Sequence, residues 1–172
     1  MATEGFPGGV DSVKSWLADL FGEEPGRSLW TVLDGPLRLA LAQGWILGTS
    51  GSRADDLAEE LAAADSSHRR FPAMLAALAD HWRRVYADLR DGAGVVNLNL
   101  LAGADMEAVV LTGQEYGDQV VRQVVGHVFI TRLDGDGWHI AALSRKLPIP
   151  GWPPTEQEIS GLEVTSRPLG HA

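Results

Sequence analysis

The chain has 172 residues, 45% of them hydrophobic and 22% charged, a length and balance that suit one soluble domain with a substantial core. Fourteen basic against twenty-three acidic residues leave a net charge of −9, which repels a phosphate backbone and argues against nucleic acid as a partner. There are no cysteines, so disulfides, thiolate metal sites and thiol nucleophiles are excluded, in keeping with the reducing cytoplasm where the chain is expected.

The opening MATEGFPGGVDS has no basic region followed by an apolar stretch and does not read as a signal peptide. Residues 1–9 read as a flexible lead, 10–147 as a single α+β domain, and 148–172 as a proline-rich extended tail. A first helix is expected from about Asp11 to Phe21, where Val10, Val13, Trp16, Leu17, Leu20 and Phe21 make one apolar stripe. Gly22–Gly26 stops it. Ser28 is expected to cap a short helix with Leu29, Trp30, Val32 and Leu33. Asp34-Gly35-Pro36 restarts the chain as a helix with Leu37, Leu41 and Trp45 on one side. The apolar stretch Leu37–Leu47 holds Arg38 and Gln43, so no membrane span is expected.

Thr49–Ser52 reads as a loop, and Ser52 with Asp55 has capping-box spacing for a helix through about Ala64. Met74, Leu78, Trp82, Val85 and Leu89 predict an amphipathic helix from Pro72 to Asp91-Gly92. The period then changes to that of strands at Gly94–Leu101 and Met106–Thr112. The run Gln119–Leu133, dense in Val, Ile, Phe and Thr, and the run Trp138–Ser144 read as a hairpin across Asp134-Gly-Asp-Gly137. A two-residue loop at Gly135-Asp136 would set Leu133 opposite Trp138, Thr131 opposite Ile140, Phe129 opposite Ala142, and His127 opposite Ser144. The expected fold is α+β, with N-terminal helices packed on a curved antiparallel meander.

The hairpin VVGHVFITRLDGDGWHIAAL and the preceding MEAVVLT strand, after a helical first half, resemble the superfamily of nuclear transport factor 2-like and polyketide-cyclase-like proteins. The resemblance covers Ser28–Arg145 in outline and the hairpin in sequence. It implies a cone-like α+β barrel enclosing a pocket, in a superfamily of isomerases, dehydratases, cyclases and non-catalytic binding or dimerisation modules. The chain departs from it between Gly48 and Pro72, where members usually carry a short strand pair and none is visible here.

Parity puts His127 on a strand face with Val125, Phe129 and Thr131. It reads as a general acid/base in a semi-apolar pocket, or as a hydrogen-bonded strand histidine; the want of an identifiable partner favours the second. Asn97 and Asn99 share a strand face and could hydrogen-bond a ligand, or could be the polar side of an amphipathic strand. Gln123, Phe129 and Trp138 complete the candidate pocket set, and Arg122 falls beside Gln123. His68, Arg69, Arg70, His81, Arg83 and Arg84 are the basic concentration, read as a solvated helix face in which Asp80–Arg84 and Arg84–Asp88 form surface pairs. The five histidines show no HExxH or HxH spacing, and Asp134-Gly-Asp-Gly137 lacks the ligand spacing of a calcium loop. Neither a metal nor a cofactor is expected.

Of the six tryptophans, Trp16, Trp45 and Trp82 fall on apolar helix faces. Trp152, with Pro153 and Pro154, is either an exposed interaction anchor or a ring that the tail clips over a groove. The reading that follows is a non-catalytic module binding a small apolar molecule or a protein partner, self-associating as a homodimer. The alternatives are a small isomerase, cyclase or dehydratase using His127, and an accessory subunit docking through the Pro/Trp tail.

Overall fold

Apolar residues in the first half recur every three or four positions, and each such run folds as the helix that spacing demands. The computed structural model describes residues 8–101, 105–113 and 127–143, with the backbone alone for 94–101. Among these residues α1 spans Gly9–Leu20, α2 Ser28–Thr31, α3 Gly35–Ser50, α4 Asp55–Ala62 and α5 Phe71–Val85, followed by a 3-10 turn at Ala87–Leu89. Strands β1 (Ala93–Leu101), β2 (Met106–Gly113), β3 (His127–Asp134) and β4 (Gly137–Ala142) form one antiparallel sheet in sequence order. The fold is α+β, and among the described residues the sheet is open, with β1 and β4 at its edges.

Several boundaries depart from the sequence expectation. Arg27, not Ser28, holds the α2 cap position. Ser52 and Asp55 form no capping box; Ala54 precedes α4 without a side-chain hydrogen bond. Thr49 and Ser50 extend α3 rather than forming a loop, their hydroxyls donating back to the carbonyls of Trp45 and Ile46. Gly51, at φ 69°, then closes the helix in the left-handed conformation. The last helix breaks at Tyr86 instead of running to Asp91. The 3-10 turn that follows docks on β2 at Gly113, where the absent β-carbon lets the Asp88 carbonyl approach.

Alternation sorts the strand residues into two faces. Val109, Leu111, Phe129 and Ile140 join the helices in one core, while Ala108, Val110, Val128, Ile130, Ala141 and Ala142 form a second buried cluster on the opposite face. The hairpin pairs Leu133 with Trp138 and Thr131 with Ile140, as expected. Phe129 is not opposite Ala142: the ladder shifts after Thr131, leaving Ala141 as the extra residue and pairing Ala142 with Ile130. The positive φ of the turn falls on Gly137 (148°), just past the loop.

Trp16 of α1 is the hub of the helix-side core. Its ring is 1% exposed and meets Trp82, Tyr86 and Phe129 edge-on, at centroid distances of 5.2, 5.8 and 6.2 Å. Its Nε1 donates to the Leu29 carbonyl at 3.1 Å, so burial leaves no unmet donor. Asp34 joins the helical layer to the sheet. Its carboxylate accepts the Leu37 amide at 2.8 Å as the α3 cap, and Arg132 of β3 donates to it at 2.9 Å. Its own amide donates to the Ile140 carbonyl, and the Ile140 amide donates to the Val32 carbonyl, both at 2.9 Å. Burial raises the Asp34 carboxyl above its ordinary value, outweighing the Leu37 amide and the charges of Arg132, Arg38 and His139.

Two outcomes are expected. A β-carbon at Gly9 would run into the Thr131 side chain and the Glu107 carboxylate beneath it. Gly9→Ala should therefore lift α1 and cost about 1–3 kcal/mol, read as a lower urea midpoint at unchanged slope. For Asp34, the raised native value means that the folded state holds the proton more tightly than the unfolded one. That stability is full below 3.8 and is lost as pH rises through the native value. Asp34→Asn keeps a capping oxygen without the titration. Wild type should lose stability relative to this variant as pH rises from about 3.5 towards 7, measured by urea unfolding; a constant difference would refute the assignment.

Candidate functional site

The stripe Leu37, Leu41 and Trp45 on α3 and the stripe Leu78, Trp82 and Val85 on α5 line a common open groove of about 670 Å³. The small residues Ala40, Gly44 and Ala77 keep its walls low. A β-carbon at Gly44 would meet nothing within 4 Å. The floor is aromatic and held from behind, since Trp82 and Tyr86 also pack on Trp16. The lip is open to water: Val85 is 43% exposed, and His81 beside it is exposed too. One end is closed by Tyr86 and Leu143, where the Tyr86 hydroxyl donates to the Leu143 carbonyl at 2.6 Å.

Behind that end lies His127. Its Nε2 donates to both carboxylate oxygens of Asp88, at 2.9 and 2.8 Å, and its ring stands edge-on to Tyr86 at 5.2 Å. The His127 side chain is 9% exposed and that of Asp88 46%, so the pair is an inward imidazole oriented by a carboxylate at the surface. Such a carboxylate fixes which ring nitrogen carries the proton. Tyr86 touches both the groove and His127, whereas His127 does not line the groove.

The other candidates do not converge on His127. Phe129 shares its face but is fully buried in the core, so the space beneath the sheet at this point is filled by aromatic rings. Trp138 is half-buried on β4, opposite Leu133, where its carbonyl accepts the Ser12 hydroxyl. The backbone register sets Asn97 opposite Val110 and Asn99 opposite Ala108, two residues of the cluster on the far face, and β1 shifts register between Val95 and Asn97. Arg122, Gln123, Ser144, Trp152, Pro153 and Pro154 lie outside the described residues.

The expected surface pairs also rearrange. Asp80 pairs with Arg83 at 3.8 Å, and Asp88 turns to His127 instead of Arg84. Arg83 in addition donates to the carbonyls of Leu20 and Gly22, tying α5 to the end of α1. In the hairpin turn, Asp134 accepts the Gly135 amide and Asp136 pairs with His139. Among the described residues, no group of three or more His, Asp or Glu is placed to hold a metal ion, and no helix is long and apolar enough to cross a membrane.

Sequence reasoning missed the partner of His127. The two residues are 39 positions apart, and the helical spacing that relates Asp88 to Arg84 ends before Asp88, since α5 stops at Val85. It also missed the groove, because spacing shows which residues share a helix face and not what lies opposite them. Removing the carboxylate should leave a largely buried imidazole without that partner. Asp88→Ala is expected to cost about 1 kcal/mol and to shift the His127 ring resonances. Gly113→Ala, which drives a methyl group against the Asp88 carbonyl, should displace the same resonances.

Comparison of the chain with family models, with curated proteins and with solved structures returns no match.

Proposed function

We propose that this protein is a binding module for a small apolar molecule, held in the groove between α3 and α5. The observation that carries the reading is the groove itself, about 670 Å³ with an aromatic floor and an exposed apolar lip. That volume is within the roughly 300–1,000 Å³ usual for small-molecule sites, which are apolar with few polar groups. His81 at the rim is a polar group able to orient a ligand. Helices followed by a meander support the kinship with nuclear transport factor 2-like proteins, with the site on the helical side instead of inside the sheet.

The oriented His127 supports a second reading, proton transfer next to a carbonyl in an isomerase- or dehydratase-type reaction, with Tyr86 as the link to the groove. Exchange of α-protons of carbonyl compounds in deuterated water, abolished by His127→Gln, is the measurement for it.

The groove is tested by filling it. Gly44→Leu adds a side chain into open space on a helix and removes a poor helix former. The neutral dye N-phenyl-1-naphthylamine should bind this variant about tenfold more weakly or worse, a loss of roughly 1.4 kcal/mol. The melting temperature should hold or rise. Equal dye affinity in a folded variant would sink the proposal.

A further inference from the structure

We infer that a second site, separate from the α3–α5 groove, lies between α1 and the 3-10 turn and takes a small monocarboxylate with a flat apolar body. Lys14, Leu17, Ala18 and the C-cap residue Phe21 stand at i, i+3, i+4 and i+7 along one face of α1. With Leu89 and Arg90 from the turn they line a cavity of about 420 Å³, inside the roughly 300–1,000 Å³ usual for small-molecule sites. Leu17 and Leu89 are buried and make its floor. Ala18 keeps the α1 wall low, and the two cations are exposed at the rim. No residue lining the groove lines this cavity.

The charge at the rim is what selects the ligand. Arg53, Arg83 and Arg132 meet carboxylates, and Arg27 and Arg38 donate to carbonyls. Among the described residues the Lys14 ammonium and the Arg90 guanidinium do neither, and both line this cavity. Arg90 is nonetheless held in place, its guanidinium carbon 5.3 Å over the centre of the Phe21 ring. A guanidinium set against a ring keeps its N–H fork for a carboxylate, which can take two parallel hydrogen bonds from it. Neither Asp88 nor Asp91, the acids near Arg90 in sequence, lines the cavity, and Asp88 is engaged by His127. A bare inorganic anion would leave the apolar floor in water. A carboxylate at one end of an apolar body meets both cations and covers Leu17 and Leu89 as well.

The probe is 1-naphthoate, with the neutral 1-naphthamide as its control, titrated into the full chain and followed by NMR. Naphthoate should shift the Phe21 ring and Arg90 side-chain resonances and bind about tenfold more tightly than the amide. Added salt should narrow that difference, because both cations are exposed. Arg90→Gln should weaken naphthoate about tenfold and leave N-phenyl-1-naphthylamine binding as it is. Ala18→Leu puts a good helix former at an exposed position of α1, so the chain should stay folded while the filled cavity loses naphthoate. Gly44→Leu should not change naphthoate binding, which keeps the fate of the groove apart from that of this site. Equal affinity for acid and amide, or shifts confined to the Trp45 and Trp82 indoles, overturns the inference. So does naphthoate affinity that survives both Arg90→Gln and Ala18→Leu.

Discussion

The indole of Trp16 touches both walls of the fold, meeting Trp82 of α5 on one side and Phe129 of β3 on the other. Each edge-on contact contributes about 0.5–1.5 kcal/mol beyond the burial of area, and the indole hydrogen is matched by the Leu29 carbonyl. The same contacts define the groove. Trp82 and Tyr86 present one edge to Trp16 and another to the α3–α5 space. The core is close-packed, so these two rings are held from behind, and the groove floor is fixed by the core.

The first half of the chain was legible because apolar spacing and glycine or proline punctuation agree there. Leu37, Leu41 and Trp45, or Leu78, Trp82 and Val85, could hardly be anything but helical stripes. What spacing cannot say is what a stripe packs against. Leu37 and Trp82 pack into the core, with Leu41, Trp45 and Leu78 partly buried against it, and the same residues line the open α3–α5 groove. The hairpin register was legible as far as Thr131 because a two-residue loop leaves no freedom. It failed beyond because a bulge at Ala141 carries no local signature in a run of small residues. At Ser28 and Ser52 a hydroxyl at the right spacing caps only if its residue holds the cap position, and here Arg27 and Ala54 hold it instead.

The candidate site was legible in part. Parity places His127 on a strand face with Phe129, but its surroundings depend on Asp88, which a broken helix and a glycine at position 113 deliver to it. No pattern along the chain encodes that meeting. It arises because α5 gives way to a tighter turn after Tyr86, so that one short segment supplies both the ring at the end of the groove and the carboxylate for the histidine.

The bonds between Ile140 and the segment Val32–Asp34 bear on association as well as on folding. A sheet edge normally offers a row of free amides and carbonyls on which a foreign strand can add. At Ile140 both groups are already taken, the carbonyl by the Asp34 amide and the amide by the Val32 carbonyl, as a one-residue parallel bridge with Leu33. The entry to α3 thus acts as a guard along β4. A strand from another molecule cannot extend the sheet there without first prising the Asp34 cap from its helix.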